Sequence, residues 1–94
     1  MVDLGTEKAW RSDEYKAFIR EHDCIRCGAR GTIAHHEPCG RAGMGIKAPD
    51  SHCLPLCIRC HAELHNGGRI TFWQTVDVKM KMVELLTAFI RRGR

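Results

Sequence analysis

The segment CIRCHAELH, residues 57–65, places two cysteines and two histidines within nine residues. Thiolate sulfur and imidazole nitrogen are the ligands that zinc and related divalent ions take in proteins. His61 and His65 are four residues apart, so on a helix they lie on one face, one turn apart, where both can bind the same ion. The segment therefore raises a question: its four side chains either hold one metal ion or belong to two different sites.

A second cysteine pair earlier in the chain favours two sites. Cys24 and Cys27 repeat the Cys-x-x-Cys spacing of Cys57 and Cys60. Two such pairs supply four thiolates, which complete a closed tetrahedral zinc site of the structural kind. A redox dithiol would account for one pair but not for the second. We therefore predict one structural zinc site with four ligands: Cys24, Cys27, Cys57 and Cys60.

The histidines of the segment are then left for a second metal ion. A zinc peptidase would place a glutamate directly after the first histidine, as HExxH, whereas Ala62 follows it here and the acid is Glu63. The segment TIAHHEP supplies a third ligand in the adjacent residues His35 and His36. Neighbours on a strand point to opposite faces, so one of the two can bind the metal while the other does a different job nearby.

Short elements must position these residues. TIAHH, residues 32–36, and HCLPL, residues 52–56, are predicted to form the two strands of a hairpin around a glycine-rich exposed loop. The helix that carries His61 and His65 follows the second strand and ends at the glycines of residues 67–68. Cys39 and Cys53 have no matching partners, so we expect free thiols, with Cys53 buried.

Two further helices are expected to flank this centre. Residues 12–22, SDEYKAFIREH, have an amphipathic pattern that begins at a capping Ser12. A last helix is predicted within residues 71–92. It begins near Thr71 or near Asp77 and runs towards Arg92. Its predicted apolar stripe consists of Met82, Leu85, Leu86, Phe89 and Ile90.

The size and composition fit one metal-stabilised domain. A chain of 94 residues buries a limited core. Small domains of this kind often need a metal ion or a disulfide to be stable. The net charge of +4 permits a polyanionic partner without requiring one. The sequence has no apolar run long enough for a transmembrane helix and no apolar region of a secretion signal near its first residue, so we expect a cytoplasmic protein without a membrane partner.

The combined pattern strongly resembles the HNH (ββα-metal) endonuclease family. The resemblance is carried by TIAHHEP, the glycine-rich loop, HCLPLCIRCHAELH and the two Cys-x-x-Cys pairs, over about residues 24–68. It implies an α+β fold, a small zinc-stapled ββα-metal core flanked by N- and C-terminal α-helices. The whole chain, residues 1–94, is then a single HNH domain of phage, prophage or bacterial type.

The resemblance also implies roles for the histidines. His35 falls where the family has its first metal ligand, His36 where it has the general base, and His61 and His65 where the histidine-rich branch has its helix ligands. His52 stands nine residues before His61, at a position that is usually asparagine and holds the loop carrying the base. An imidazole has one donor and one acceptor, so it can imitate part of that role.

The function implied is metal-dependent hydrolysis of phosphodiester bonds in DNA. The catalytic ion is expected to be Mg²⁺ or Mn²⁺, with Ni²⁺, Co²⁺ or Zn²⁺ as further choices that accept nitrogen ligands. Arg41, Lys47 and Arg69 are the expected phosphate contacts, and plain surface charge is the alternative for each. Without a base-reading element, we expect a nicking enzyme of low sequence specificity, as a monomer, with a dimer as the alternative.

Two other functions remain open from the sequence. The first is a zinc-dependent module that binds DNA or RNA without cutting it. The second is a recombination or repair nuclease that acts on branched DNA or requires a partner protein, with the same chemistry at the same residues. A zinc hydrolase of another kind is disfavoured by the missing HExxH glutamate.

Overall fold

The computed structural model describes residues 10–37 and 48–92. Within these ranges the chain forms a small α+β fold with one two-stranded sheet. The elements in chain order are helix α1 (Asp13–Arg20), strand β1 (Thr32–His36), a 3₁₀ turn (Asp50–His52), strand β2 (Cys53–Cys57) and helices α2 (Ile58–Gly67), α3 (Arg69–Phe72) and α4 (Val78–Arg92). None of these described helices has both the length and the apolar character needed to cross a membrane.

Helix α1 begins at Ser12, which is its N-cap. The Ser12 hydroxyl accepts a hydrogen bond from the backbone N–H of Tyr15 at 3.0 Å, and this satisfies a donor that has no partner within the first turn. The buried face of the helix carries Tyr15, Phe18 and Ile19. The helix is shorter than the predicted residues 12–22, because Ser12 lies outside it as a cap and its last residue is Arg20.

The first cysteine pair lies in a tight turn between α1 and β1. The backbone N–H of Gly28 donates to the carbonyl of Cys24 at 2.8 Å, and the N–H of Cys24 donates to the carbonyl of Ala29 at 2.8 Å. Gly28 has a φ of 81°, a left-handed conformation in which any side chain would be strained. This turn is therefore closed by its own backbone and depends on glycine.

Strands β1 and β2 pair antiparallel, with Thr32 opposite Cys57 and His36 opposite Cys53. All five residues of β2 are buried, whereas β1 is fully buried only at Thr32 and His35. The second strand begins one residue later than predicted, because His52 belongs to the preceding 3₁₀ turn. The hairpin places the end of β1, with its two histidines, beside the start of β2.

Helix α2 follows β2 without a linker. Cys57 is both the last residue of β2 and the N-cap of α2, and its sulfur accepts a hydrogen bond from the backbone N–H of Cys60 at 3.4 Å. Gly68, with a φ of 87°, ends the helix. The strand, the cap and the helix therefore form one continuous unit that fixes the cysteines relative to the histidines further along α2.

The C-terminal segment contains two helices: of the two starts predicted for the last helix, Asp77 agrees with α4, whereas Thr71 lies in the separate short α3. The short α3 is separated from α4 by a turn that ends at Asp77. The Asp77 carboxylate accepts a hydrogen bond from the N–H of Met80 at 3.1 Å, and its carbonyl accepts from the N–H of Lys81 at 3.0 Å. An aspartate in this position starts a new helix, so the chain turns before α4 begins.

The core gathers residues from every helix and from β2. Its buried members include Tyr15, Phe18, Ile19, Leu54, Leu56, Leu64, Phe72, Trp73, Met82 and Leu85. Phe89 of α4 lies at the edge of this cluster, with its ring centroid 4.9 Å from that of Tyr15 and 5.3 Å from that of Phe18. The stripe predicted for α4 holds for its other members but is wrong for Ile90, which is 55% exposed.

Candidate functional site

The four paired cysteines meet in one cluster. The turn after α1 supplies two of them, and the start of α2 supplies Cys57 and Cys60. The four sulfur atoms all lie within 4.8 Å of one another, and the sulfurs of Cys27 and Cys57 are 3.6 Å apart. Four thiolates around zinc at about 2.3 Å would stand about 3.8 Å from one another. The cluster therefore has the donor set and the spacing of a structural metal site such as zinc.

The ionisation of these thiols is uneven. Burial raises the pKa of Cys24, but hydrogen bonds from the backbone of Cys57, Cys27 and Arg26 outweigh it and lower the pKa to about 6. Burial and the neighbouring cysteines raise the pKa of Cys60 to about 12. The Cys24 thiol therefore loses its proton more readily than usual, whereas Cys60 keeps its proton, first because it is buried and second because the other cysteine side chains surround it. A bound cation removes this conflict, since it neutralises the crowded thiolates.

Three histidines form a second cluster on the other side of α2. His35 at the end of β1 meets His61 and His65, and one ring nitrogen from each lies within 4.8 Å of the other two. The Nε2 atoms of His61 and His65 are 3.1 Å apart. Adjacent nitrogen ligands at about 2.1 Å from one metal ion are about 3.0–3.4 Å apart. The three histidines predicted as ligands are therefore brought together at a spacing that suits a shared ion.

The surroundings of His61 favour its neutral form. Burial lowers the pKa of His61, and the nearby His35 and His65 lower it further. A neutral imidazole offers a nitrogen lone pair, which is what a metal requires. His35 is buried, His61 is half-buried and His65 is exposed, so the cluster is open on one side. Three nitrogen ligands with open positions fit Mn²⁺, Co²⁺, Ni²⁺ or Zn²⁺ by donor chemistry.

The open side faces a cleft. The cleft has a volume of about 700 Å³ and is lined by His35, His36, Leu64, His65, Gly68, Arg69 and Ile70. His36 is the neighbour of His35 on β1, yet both reach the same cleft, because β1 ends there. The residue predicted as the general base and two of the predicted metal ligands therefore share one solvent-accessible space.

Glu37 is a site residue that the sequence reasoning missed. Its carboxylate is buried and lies between His35, whose Nε2 is 2.9 Å from Oε1, and Arg69, whose Nε donates to Oε2 at 2.9 Å. Burial raises the pKa of Glu37, but the contact with His35 and the charge of Arg69 outweigh it and lower the pKa below its usual value. A carboxylate behind a ligating histidine orients the ring and strengthens it as a ligand.

Asp50 is the second residue that was missed. Its Oδ1 lies 2.7 Å from Nε2 of His36, and the Asp50 side chain is buried, with 1% exposed.

Glu37 was visible in the sequence as the acid directly after the two histidines, and this adjacency could have identified it. Asp50 gave no such signal, because fourteen residues separate it from His36 and only the hairpin brings the two together.

The remaining predicted residues lie in different parts of the chain. His52 is half-buried in the 3₁₀ turn, where its carbonyl accepts a hydrogen bond from the N–H of Glu37 at 3.2 Å. Its predicted role in holding the base stays a prediction, while the carboxylate in contact with His36 belongs to Asp50. Arg69 lies on the cleft. Arg41, Lys47 and Cys39 lie outside the described residues.

Comparison with known proteins finds a family match and a similar protein. Residues 5–89 match the family described as "Protein of unknown function (DUF968)". The chain is similar to the "Uncharacterized protein YdfU" of Escherichia coli (strain K12), with 36% identity over 93 residues that make up 98% of this chain and 26% of that protein. The chain thus spans about a quarter of the length of this relative. No solved structure matches it.

Proposed function

We propose a function for this chain, which belongs to the DUF968 family. It is a metal-dependent endonuclease that hydrolyses phosphodiester bonds in DNA, with a ββα-metal core of the HNH type. The observation that carries the proposal is the cluster of His35, His61 and His65, open to the same cleft that His36 lines. A cation site beside a histidine that can accept a proton is the minimum equipment for metal-assisted phosphodiester hydrolysis.

The order of elements supports the same assignment. Antiparallel β1 and β2 lead directly into α2, so His35 of β1 faces His61 and His65 of α2. A divalent ion bound by His35, His61 and His65 would act as a Lewis acid that stabilises negative charge on the scissile phosphate. Glu37 orients the ring of His35 from behind, and the cleft leaves room for a phosphate group in front.

His36 is the proposed general base. In its neutral form it accepts a proton from the attacking water, whose oxygen bonds to phosphorus as the bond to the leaving oxygen breaks. An imidazole suits this step near neutral pH, because its ordinary pKa lies close to 6.5. His36 has a fifth of its side chain exposed, since the strand edge shields one side and the cleft opens the other.

Positive charge beside the cleft supports a nucleic-acid substrate. Arg69 lines the cleft and keeps 52% of its side chain exposed while its Nε donates to Glu37, so its positive charge lies where a phosphate can approach. Contacts of this kind bind the backbone irrespective of sequence. One site acts on one strand, so the product is a nick, and cleavage of both strands requires two encounters or two copies.

The proposed role of the four-cysteine site is structural. It ties the turn after α1 to the start of α2, and this fixes where His61 and His65 emerge from the helix. Three of its four cysteines are buried, and this burial would protect the bound ion from exchange with solvent. The domain therefore uses one ion for shape and a second ion for chemistry.

A plasmid assay tests the proposal. Purified protein with supercoiled plasmid and Mn²⁺ or Mg²⁺ should give nicked circles, and EDTA should stop the reaction. His36→Ala, purified in the same way, should lose nicking while it stays folded and keeps its zinc; this also controls for a contaminating nuclease. A gel shift without any nicking, on plasmid and on branched substrates alike, would identify a binding module and overturn the nuclease proposal.

A further inference from the structure

Asp50 is the most completely buried charged residue of the described chain, with 1% of its surface exposed. Its Oδ1 lies 2.7 Å from Nε2 of His36 and accepts from the Arg11 guanidinium at 3.1 Å. Its Oδ2 accepts from the backbone N–H of Ser12 at 2.7 Å. Both oxygens are therefore occupied, and the carboxylate cannot rotate without breaking several contacts at once.

The state of this carboxylate is set by its neighbours. Burial raises the pKa of Asp50, but hydrogen bonds from His36, the Ser12 backbone and Arg11 outweigh it and lower the pKa to about 2. Asp50 is thus an anion throughout the range in which a histidine gains or loses its proton. An ionised carboxylate only accepts hydrogen bonds. The contact at 2.7 Å therefore requires a proton on Nε2 of His36.

We infer that Asp50 is the positioning residue of the general base, an inference that rests on the proposed function. By accepting from Nε2–H it fixes His36 in one tautomer, which leaves Nδ1 as the nitrogen that takes the proton from water. The HNH resemblance gives the task of holding the base loop to the position of His52. In this chain the buried anion two residues earlier contacts the base directly.

The residues that hold Asp50 make further contacts of their own. Arg11 also donates to the carbonyl of Ala48 at 2.6 Å, and Ser12 caps α1, so the carboxylate is tied to the start of that helix and to the chain just before the 3₁₀ turn. When Nδ1 accepts the proton, the ring becomes an imidazolium held against a carboxylate. The proton remains on the ring, because Asp50 supplies orientation and charge and takes no proton itself.

The tautomer can be measured without any substitution. A long-range ¹H–¹⁵N correlation spectrum of the zinc-loaded protein, recorded at alkaline pH and without the second metal, reports which ring nitrogen of His36 carries hydrogen. We expect a single Nε2–H tautomer for His36. An Nδ1–H tautomer, or an average of the two, would overturn the inference. This result does not depend on nuclease activity, so it stands apart from the plasmid assay.

A variant tests the effect on turnover. Asp50→Asn keeps the size of the side chain but removes its charge, and its single oxygen cannot serve both His36 and Ser12. We expect kcat for nicking to fall by about 10²–10⁴-fold with little change in KM, because the base loses its fixed tautomer. Asp13→Asn, an exposed change in the first turn of α1, should leave nicking unchanged. Full activity of Asp50→Asn would overturn the inference, and the wild-type spectrum decides it if this variant does not fold.

Discussion

The two proposed metal sites each take two residues from α2 or its N-cap, but their surroundings are opposite. The cysteine cluster has three of its four members buried. Two of its cysteines lie in the turn after α1 and two at the start of α2. The histidine cluster has one buried member, one half-buried and one exposed, and it opens on a cleft. Closed sites of four protein ligands are typical of structural metals, whereas three ligands and an open side are typical of catalytic ones.

The comparison teaches how one short helix can serve two sites. Cys60 and His61 are adjacent, and successive helical residues point about 100° apart, so the two side chains leave the helix in different directions. His65 returns to the direction of His61 after one turn. The separation therefore comes from helical geometry, and it allows a change at one cluster to leave the other intact.

The largest expected effect belongs to the cysteine cluster. Cys57→Ser can still cap α2, so the substitution removes a metal ligand and little else. We expect the variant to lose its zinc and its fold, because structural zinc contributes about 10–16 kcal/mol while a domain is stable by only about 5–15 kcal/mol. Elemental analysis and far-ultraviolet circular dichroism measure both losses. Cys53→Ala, also buried but outside the cluster, should keep one zinc per chain; a folded, zinc-free Cys57→Ser would contradict this account.

The next effect sharpens the division between the two clusters. His61→Ala should reduce metal-dependent nicking by more than the ~100-fold that loss of an outer-sphere partner causes. Its zinc content and melting temperature should match those of the unchanged protein, because the sulfur site lies elsewhere. Asn66→Ala, an exposed change on the same helix, is the control and should behave like wild type. Unfolding of His61→Ala would mean that the two clusters are one site.

A smaller effect is expected behind the histidine cluster. Glu37→Gln keeps the shape but removes the charge that faces His35 and Arg69. The Mn²⁺ concentration for half-maximal nicking should rise by about 10–100-fold, while the rate at saturating Mn²⁺ changes little. A titration of nicking against Mn²⁺ measures this. Glu63→Gln, an exposed change on α2 that pairs with Arg26, is the matched control and should leave the titration unchanged.

The smallest effect concerns the rim of the cleft. Arg69→Ala should raise KM a few-fold, and the slope of log affinity against log salt should fall by about one, because one phosphate contact is lost. Fluorescence anisotropy at several salt concentrations measures the slope. Arg20→Ala removes the same charge at the exposed end of α1, away from the cleft, and should leave the slope unaltered. Equal slopes for the two variants would show that Arg69 does not contact DNA.

The sequence by itself determined the contents of both clusters. The repeated Cys-x-x-Cys spacing, the i, i+4 histidines and the strand pattern of residues 32–36 are local features, and local geometry decides them. Strand β1 has the predicted bounds, Thr32–His36, for the same reason. Helix ends were less predictable. Ser12 lies outside α1 as its cap and so shortens the predicted helix, and Asp77 divides the C-terminal segment by starting a new helix.

Only the tertiary structure decided what stands behind the histidines. The pairing of β1 with β2 brings His36 beside Asp50, and the start of α3 brings Arg69 onto Glu37. A charged side chain far along the chain has no periodic signal, because its burial is fixed by the elements that fold around it. The side chains of both clusters could therefore be predicted from spacing and pattern, whereas the carboxylates in contact with His35 and His36 could be identified only from the folded structure.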